Sequence, residues 1–479
     1  MKKLAKINPL KICLVLFLLS IYFIELCKSQ DADMFWIIAN GKEILQNGIL
    51  RTNPTSIVEI SIVNQQWLYC VITALFDKFG YIGHIVFVFI QDCLLICLAS
   101  YWLNSKIHDK YKSVVLSIGI MTICGYMINI RPQIITMCLL IAHMIILDKA
   151  QENKKWYLAT IPIIILETNL HGALFLYHGV LVVPYLIKNK KINWYALASA
   201  ISIIPLSLIN PYGFGMIQYS IDALTSTAFK YVTISELLPT SPLTIYSWNI
   251  LLGFGLFIVC AFMRKLDFKT IWYSSIILIL SMHQIRHTSV IYLPLLVMCG
   301  QIFENLKLPE FKFLQSKDLR IISSLLVFVT TIIICFASLS CMLYSQSMYD
   351  MRYKDGTMFS YTLSQSIEDK DAKILSHFNN GGYLEYAGFT NVFIDQRPEI
   401  YVENDVLKDW SILTYGKDVL DHKVYSFEEL DELMNKYEFD FVFAGRTLMI
   451  DRLCQAYPEK YKFIDTDNFY NLYEVVKND

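Results

Sequence analysis

The chain has 479 residues, of which 55% are hydrophobic and 17% charged, with a net charge of −1 and a mean hydropathy of +0.43. Soluble proteins carry about 25% charged residues, so this composition excludes a soluble globular enzyme, a disordered chain and a fibrous protein. The near-zero net charge argues against nucleic acid as a partner. What remains is an integral membrane protein with several spans.

A spanning helix needs roughly 17 to 25 apolar residues to cross about 30 Å of hydrocarbon. In chain order the candidates are 12–27, 82–103, 113–129, 132–148, 156–168, 171–187, 194–209, 245–263, 271–283, 287–303 and 321–343. The runs 156–168 and 271–283 are short enough to be broken or re-entrant. The segment 67–76 is too short to span, and is expected in the interface or dipping into the protein. The predicted fold is an α-helical polytopic membrane protein of about eleven transmembrane helices over residues 1–343, with a first outer loop at 28–81. Residues 344–479 read as a separate soluble domain, with 25 Asp+Glu against 14 Lys+Arg. Twelve cysteines are too sparse for a disulfide scaffold. Eleven of them lie in or beside the apolar segments, where a free thiol behaves as a small buried hydrophobe.

Loop charge fixes direction. The N-terminus and the alternate loops on its side carry 20 Lys+Arg, and the opposite loops carry 7. By the positive-inside rule the N-terminus is cytoplasmic, and an odd number of spans places the C-terminal domain outside the cell membrane. The first span lacks a small-residue cleavage site and reads as an uncleaved anchor in the plasma membrane.

Ionisable residues at membrane depth are costly and mark function. Here they gather at the predicted outer ends of the spans: Asp31 and Asp33 after the first, Arg131 between the third and fourth, and Glu167, Asn169 and His171 between the fifth and sixth. Asn210 follows the seventh, and His283, Gln284, Arg286 and His287 lie between the ninth and tenth. Acids suit a general base and arginines suit a phosphate. Asp31-Ala32-Asp33 opens a stretch whose Met34, Phe35, Ile37, Ile38, Ile44 and Leu45 recur at helical spacing up to Gly48. That pattern predicts an interfacial helix over 33–46 with Trp36 at headgroup level. The two aspartates alone are too few oxygen ligands for a hard cation, so no metal is assigned and a divalent ion is not favoured.

The C-terminal domain reads as a helix at 368–378, a strand at 390–394, and a helix opened by the capping box Ser426-Phe427-Glu428-Glu429 and running to Met434. A strand at 439–444, a helix at 447–456 and a strand pair within 462–475 follow, which together predict a small α/β layer. Asp395-Gln396-Arg397 at a strand end either faces the membrane site or forms an internal salt bridge.

Several stretches resemble a type C membrane glycosyltransferase, within a group of uncharacterised multi-span bacterial proteins. They are DADMFWIIANGKEILQNGILRTNPTS at 31–56, QWLYCVITALFDKFGYIG at 66–83, RPQ at 131–133, NLHGALF at 169–175, NPYGF at 210–214, RH at 286–287, and NNGGYLEYAG with VFIDQRPEIY within 379–401. The resemblance implies inverting transfer of a sugar from a polyprenyl-phosphate donor to an acceptor in the cell envelope (a glycan, lipid or protein), without a cofactor. It implies Asp31 and Asp33 as catalytic acids, with Asp31 the general base. It also implies Arg131, His171, Arg286, His287, Trp36 and Asn210 as substrate-binding residues. The sequence departs from that group at Ile37, where a histidine is usual, and at Gln65-Gln66, where His-Glu is usual. Those departures keep two other readings open, a non-enzymatic membrane scaffold and a lipid or solute transporter or O-antigen-type polymerase or ligase.

Overall fold

The structure is a computed structural model. It describes residues 9–26, 32–125, 128–225, 231, 238–241, 245–304, 355–356, 359–402 and 404–477, with isolated positions between 325 and 340.

The expectation of about eleven spanning helices is overturned. Among the described residues two helices are long and apolar enough to cross a bilayer, Gly80–Ile107 and Gln133–Ala150. The shorter apolar helices include Trp67–Asp77, Trp194–Ser207 and Tyr292–Phe303. Hydropathy counts apolar residues, whereas local backbone chemistry sets helix length. The run 156–168 begins as a 3-10 turn, Lys154–Ala159, started by the side chain of Asn153. It continues as Thr160–Leu170 and stops at His171, whose φ of −157° leaves the helical region. The run 171–187 is broken into Gly172–Leu174, Tyr177–Val182 and Val183–Tyr185, the last carrying Pro184. The run 287–303 opens with the 3-10 segment Ile285–Val290 before Tyr292–Phe303. The predicted span 321–343 lies mostly outside the described residues.

The helices that matter for the site are α1 (Pro9–Leu26), α2 (Asp33–Asn47), α3 (Trp67–Asp77), α4 (Gly80–Ile107), α5 (Lys110–Ile123), α6 (Gln133–Ala150), α7 (Thr160–Leu170), α8 (Tyr177–Val182), α9 (Trp194–Ser207), α10 (Phe214–Thr225), α11 (Ile245–Phe262), α12 (Phe268–His283) and α13 (Tyr292–Phe303). Their shared core includes Leu95 and Leu103 of α4, Met137, Ile141 and Met144 of α6, and Leu293 and Leu296 of α13. Polar side chains lie inside this packing. Asp92, His143, Glu167 and His178 are all 0% exposed. The outer faces are apolar instead. Ile82, Val86, Phe89, Ile90, Leu94 and Tyr101 form an exposed stripe at helical spacing along α4, and Phe262 at the end of α11 is 85% exposed.

α2 forms where its apolar spacing predicts, and Gly48 closes it at φ +83°. Met34 to Ile38 are buried, and α2 packs on α3 so closely that a Cβ on Gly41 would stand 2.0 Å from the Cys70 carbonyl oxygen.

The C-terminal domain carries a five-stranded sheet. After the short hairpins β1–β2 (Ile187–Lys188, Lys191–Ile192) and β3–β4 (Asp355–Gly356, Phe359–Ser360), its strands are β5 (Lys373–Leu375), β6 (Asn391–Val392), β7 (Phe441–Gly445), β8 (Tyr461–Thr466) and β9 (Tyr470–Val475). The order is β6-β5-β7-β9-β8, with β5 parallel to β6 and β7, and β9 antiparallel to β7 and β8. The predicted helix at 368–378 is a turn and strand β5 instead. α14 (Tyr361–Gln365), α15 (Phe378–Tyr386) and α16 (Val406–Tyr415) go beyond the sequence reading. The capping box at Ser426 and Glu429 forms and opens α17 (Phe427–Tyr437), and α18 (Met449–Ala456) follows β7.

This domain is joined to the first loop. Val392 N–H donates to the Thr55 carbonyl at 2.7 Å, and Ser56 bridges Val392 in parallel. Trp36, Ile37 and Ile44 of α2 share one apolar core with Phe393, Trp410 and Leu413.

Candidate functional site

α2 and α10 meet the C-terminal domain, through Trp36 against Arg397 and Tyr219 against Glu399. The turn before α6 carries Arg131, whose Nη2 lies 2.8 Å from Asp33 Oδ2 at the start of α2. Both side chains are half-buried, so each balances a charge that would otherwise be poorly solvated. Asp31 lies outside the described residues.

His171 stands where α7 ends. Its Nδ1 is 2.8 Å from Thr136 Oγ1, and the same hydroxyl is 2.8 Å from Glu167 Oε1. Gln65 holds the turn that follows: its carbonyl accepts from Gly172 N–H at 2.7 Å, and its Oε1 accepts from Ala173 N–H at 3.2 Å. Ile37 is buried in the core shared with the C-terminal domain. Both departures from the resembled group therefore serve packing or loop geometry here. Asn169 accepts from Trp67 Nε1 at 2.9 Å and donates to the Ile209 carbonyl at 2.9 Å, which ties α7 to the next turn. Asn210 is spent within that turn, accepting from Tyr212 N–H at 2.7 Å and donating to the Ser207 carbonyl.

The 3-10 segment before α13 supplies Arg286 and His287. His287 Nδ1 is 2.7 Å from the Tyr177 hydroxyl. Arg286 is exposed, and its guanidinium makes no hydrogen bond or ion pair among the described residues. Its charge acts on His171, Tyr177, Tyr219 and Glu399.

The C-terminal domain closes the site with Asp395-Gln396-Arg397-Pro398-Glu399. Arg397 donates through Nε to Asp395 at 3.1 Å, pairs with it through Nη2, and reaches Glu385 at 3.5 Å. The guanidinium lies 5.0 Å from the centroid of the Trp36 ring. Trp36 is thus covered by the C-terminal domain. Tyr401 donates to Asp395 at 2.8 Å and accepts from Asn53 at 3.1 Å, and Thr55 donates to Glu385 at 2.6 Å. Of the two alternatives for Asp395-Gln396-Arg397, the internal salt bridge forms, and Arg397 also contacts Trp36 of α2. Glycine at 382 permits the approach, because a Cβ there would stand 2.2 Å from Gln396 Oε1 and 3.0 Å from Trp36 Cβ.

Burial sets the charge states in this seam. Burial, with the negative charge of Asp395 beside it, pushes the Glu385 carboxyl up to about 8. Burial also disfavours ionised Asp395, but Arg397 outweighs it and holds that carboxyl below its ordinary range. Burial raises Glu399 as well, against the hydrogen bond from Tyr219 and the charge of Arg286. Tyr219 donates to Glu399 Oε1 at 3.0 Å.

Asp33 thus pairs with Arg131, and Arg286 acts on His171 and His287, while Trp36 packs under the C-terminal domain and Asn210 braces its own turn. Thr136, Tyr177, Tyr219 and Glu399 are additional members of these contacts. Glu399 stood two residues past the noted Arg397, and Thr136 five residues past Arg131. Nothing in the spacing separates Tyr219 from other helical tyrosines. No three His, Cys, Asp or Glu side chains among the described residues are grouped as a metal site. No protein-family model matches the chain, and no curated protein matches it in sequence.

Proposed function

We propose that this protein is a membrane glycosyltransferase that moves a sugar from a polyprenyl-phosphate donor to an acceptor outside the cytoplasm. The observation that carries the reading is Arg286, an exposed cation whose guanidinium makes no hydrogen bond or ion pair among the described residues, and whose charge acts on His171, Tyr177 and Tyr219. A lipid-linked phosphate needs such a cation, one still able to pair with it. Apolar side chains flank it, with Met282 51% and Ile279 63% exposed on the adjoining α12, as a polyprenyl tail requires. The inverted pattern of the helical region, polar side chains within and an apolar stripe without, supports a lipid setting.

In this reading Arg286 binds the phosphate and stabilises the charge that builds on it as the glycosidic bond breaks. Asp33 holds Arg131 at the rim, and the acceptor enters beneath Glu399 and the C-terminal domain. The test is transfer of labelled sugar from polyprenyl-phosphate donors by the purified protein in lipid vesicles, with donor binding measured alongside. Binding that weakens in Arg286→Ala and transfer in the wild type support the reading. Absence of binding to every polyprenyl phosphate tried overturns it.

A further inference from the structure

The turn that carries His171 sits in front of a chain of buried polar groups that the donor site does not use. Thr136 Oγ1 is 2.8 Å from both Glu167 Oε1 and His171 Nδ1. Behind the carboxylate, His178 Nε2 is 3.7 Å from Glu167 Oε2, and His178 Nδ1 is 3.0 Å from His143 Nδ1. Glu167, Thr136, His143 and His178 are 0% exposed, and His171 is 5% exposed.

A hydroxyl has one proton to give. With Glu167 ionised, Thr136 donates to the carboxylate and must then accept from His171. That fixes the proton of neutral His171 on Nδ1 and leaves Nε2 as a free acceptor. The His143–His178 pair behind stands apart from this relay, because the 3.7 Å between His178 Nε2 and Glu167 Oε2 is too long for a hydrogen bond. The groups that face this chain are the Cys138 thiol, which interacts with Glu167 from α6, and Arg286, which interacts with His171 from the site. No lysine or arginine pairs with Glu167 among the described residues, so a proton delivered to it removes an uncompensated buried charge.

We infer that His171 is the proton acceptor of the transfer reaction, with Thr136 and Glu167 as the positioning residues that set its tautomer and take up the proton. This rests on the glycosyl-transfer reading above. In the step, the acceptor hydroxyl gives its proton to His171 Nε2 as its oxygen bonds to the anomeric carbon. The bond from that carbon to the lipid phosphate breaks, and the phosphate leaves with the electron pair beside Arg286. The Nδ1 proton of His171 moves to Thr136, and the Thr136 proton moves to Glu167, so imidazole and hydroxyl end neutral and the carboxyl ends protonated.

The tautomer is read without any substrate. The full-length protein is labelled with ¹⁵N-histidine in lipid vesicles, and the His171 resonances are identified as those lost in His171→Gln. The expected wild-type spectrum, recorded at alkaline pH because burial pushes the Glu167 carboxyl up to about 8, has His171 neutral and protonated at Nδ1. Thr136→Val, which keeps the shape and removes the hydroxyl, is expected to shift it toward the Nε2-protonated form, and Thr136→Ser is expected to retain the wild-type form. Sugar transfer is expected to fall about 10²- to 10⁴-fold in His171→Gln, the usual cost of losing a general base, with donor binding kept. An Nε2-protonated His171 in the wild type overturns the inference without needing a variant. So does a tautomer that neither Thr136→Val nor Glu167→Gln moves. Full transfer by His171→Gln overturns the catalytic role alone. A wild type that binds no lipid phosphate overturns the donor reading instead, and the spectra still decide the relay.

Discussion

Arg397 lies over the face of Trp36, 5.0 Å from its centroid, so a residue of the last domain covers the first turn of α2. Arg397 is also the sole cation paired with Asp395 and Glu385 among the described residues. Removing one partner of a buried pair typically costs about 3–5 kcal/mol, because the remaining charge is stranded. Arg397→Met is therefore expected to lower the unfolding temperature strongly and to increase Trp36 fluorescence quenching by a soluble quencher. Arg397→Lys is expected to recover only part of the loss, since an ammonium cannot keep both the planar contact and the paired hydrogen bonds. Unchanged quenching in Arg397→Met would sink this account of the seam.

Glu385 gives the same seam a pH dependence. Its carboxyl is pushed up to about 8 in the folded protein, against an ordinary 4.5. Between those values the folded state holds a proton that the unfolded state has released. Stability is therefore expected to fall as pH rises from about 5 to 8, by up to about 1.4 kcal/mol per pH unit where one proton is involved. Denaturation followed across that range measures it. In Glu385→Gln the slope should flatten; an equal slope there would assign the dependence to another group.

Arg286 makes the clearest test of donor recognition. A charge-assisted hydrogen bond is worth about 1.5–3 kcal/mol, which corresponds to about 10- to 100-fold in affinity. Arg286→Ala is expected to weaken binding of a polyprenyl phosphate by that factor and to leave the unfolding temperature nearly unchanged, because the residue is exposed. Equal affinity for donor in the two proteins, measured in the same vesicles, would remove Arg286 from the site.

The ion pair between Asp33 and Arg131 calls for a double-mutant cycle. Residues in contact usually couple by about 0.5–3 kcal/mol. Asp33→Asn and Arg131→Gln should each destabilise the protein, and the double variant should be less damaged than the sum. Strict additivity would mean that the 2.8 Å contact carries no energy.

Gly41→Ala probes the packing of α2 on α3. Its Cβ would collide with backbone, the Cys70 carbonyl, which cannot step aside as a side chain can. The cost is expected at or above the usual 1–3 kcal/mol of overpacking, read as a lower unfolding temperature with loss of any transfer activity.

How much of this was legible in the sequence depends on the kind of signal. α2 was legible because its apolar residues recur at helical spacing and Gly48 supplies a stop. α17 was legible because a capping box is local chemistry. The span count was not, because Asn153, His171 and Pro184 set where helices start and stop inside apolar runs that look continuous. β5 was read as a helix because Glu368, Lys370, Ala372 and Lys373 are good helix formers, while its strand state depends on β6 and β7 on either side. Within the site, charged residues near loop ends were visible one at a time. Their pairing was hidden, since Asp33 and Arg131 are 98 positions apart and Thr55 and Glu385 are 330 apart.

The cover that Arg397 places on Trp36 also orders events during synthesis. α2 leaves the ribosome early, yet its Trp36 face finds its cover only after Arg397 has been made. Until then Ile37 can pack with Tyr69 and Cys70 of α3, but Trp36 and the strand-like segment at Thr55–Ile57 lack their C-terminal partners. A chain interrupted before residue 379 would carry all of α1 to α13 and still lack that cover, so the last fifth of the protein completes the packing of the first tenth.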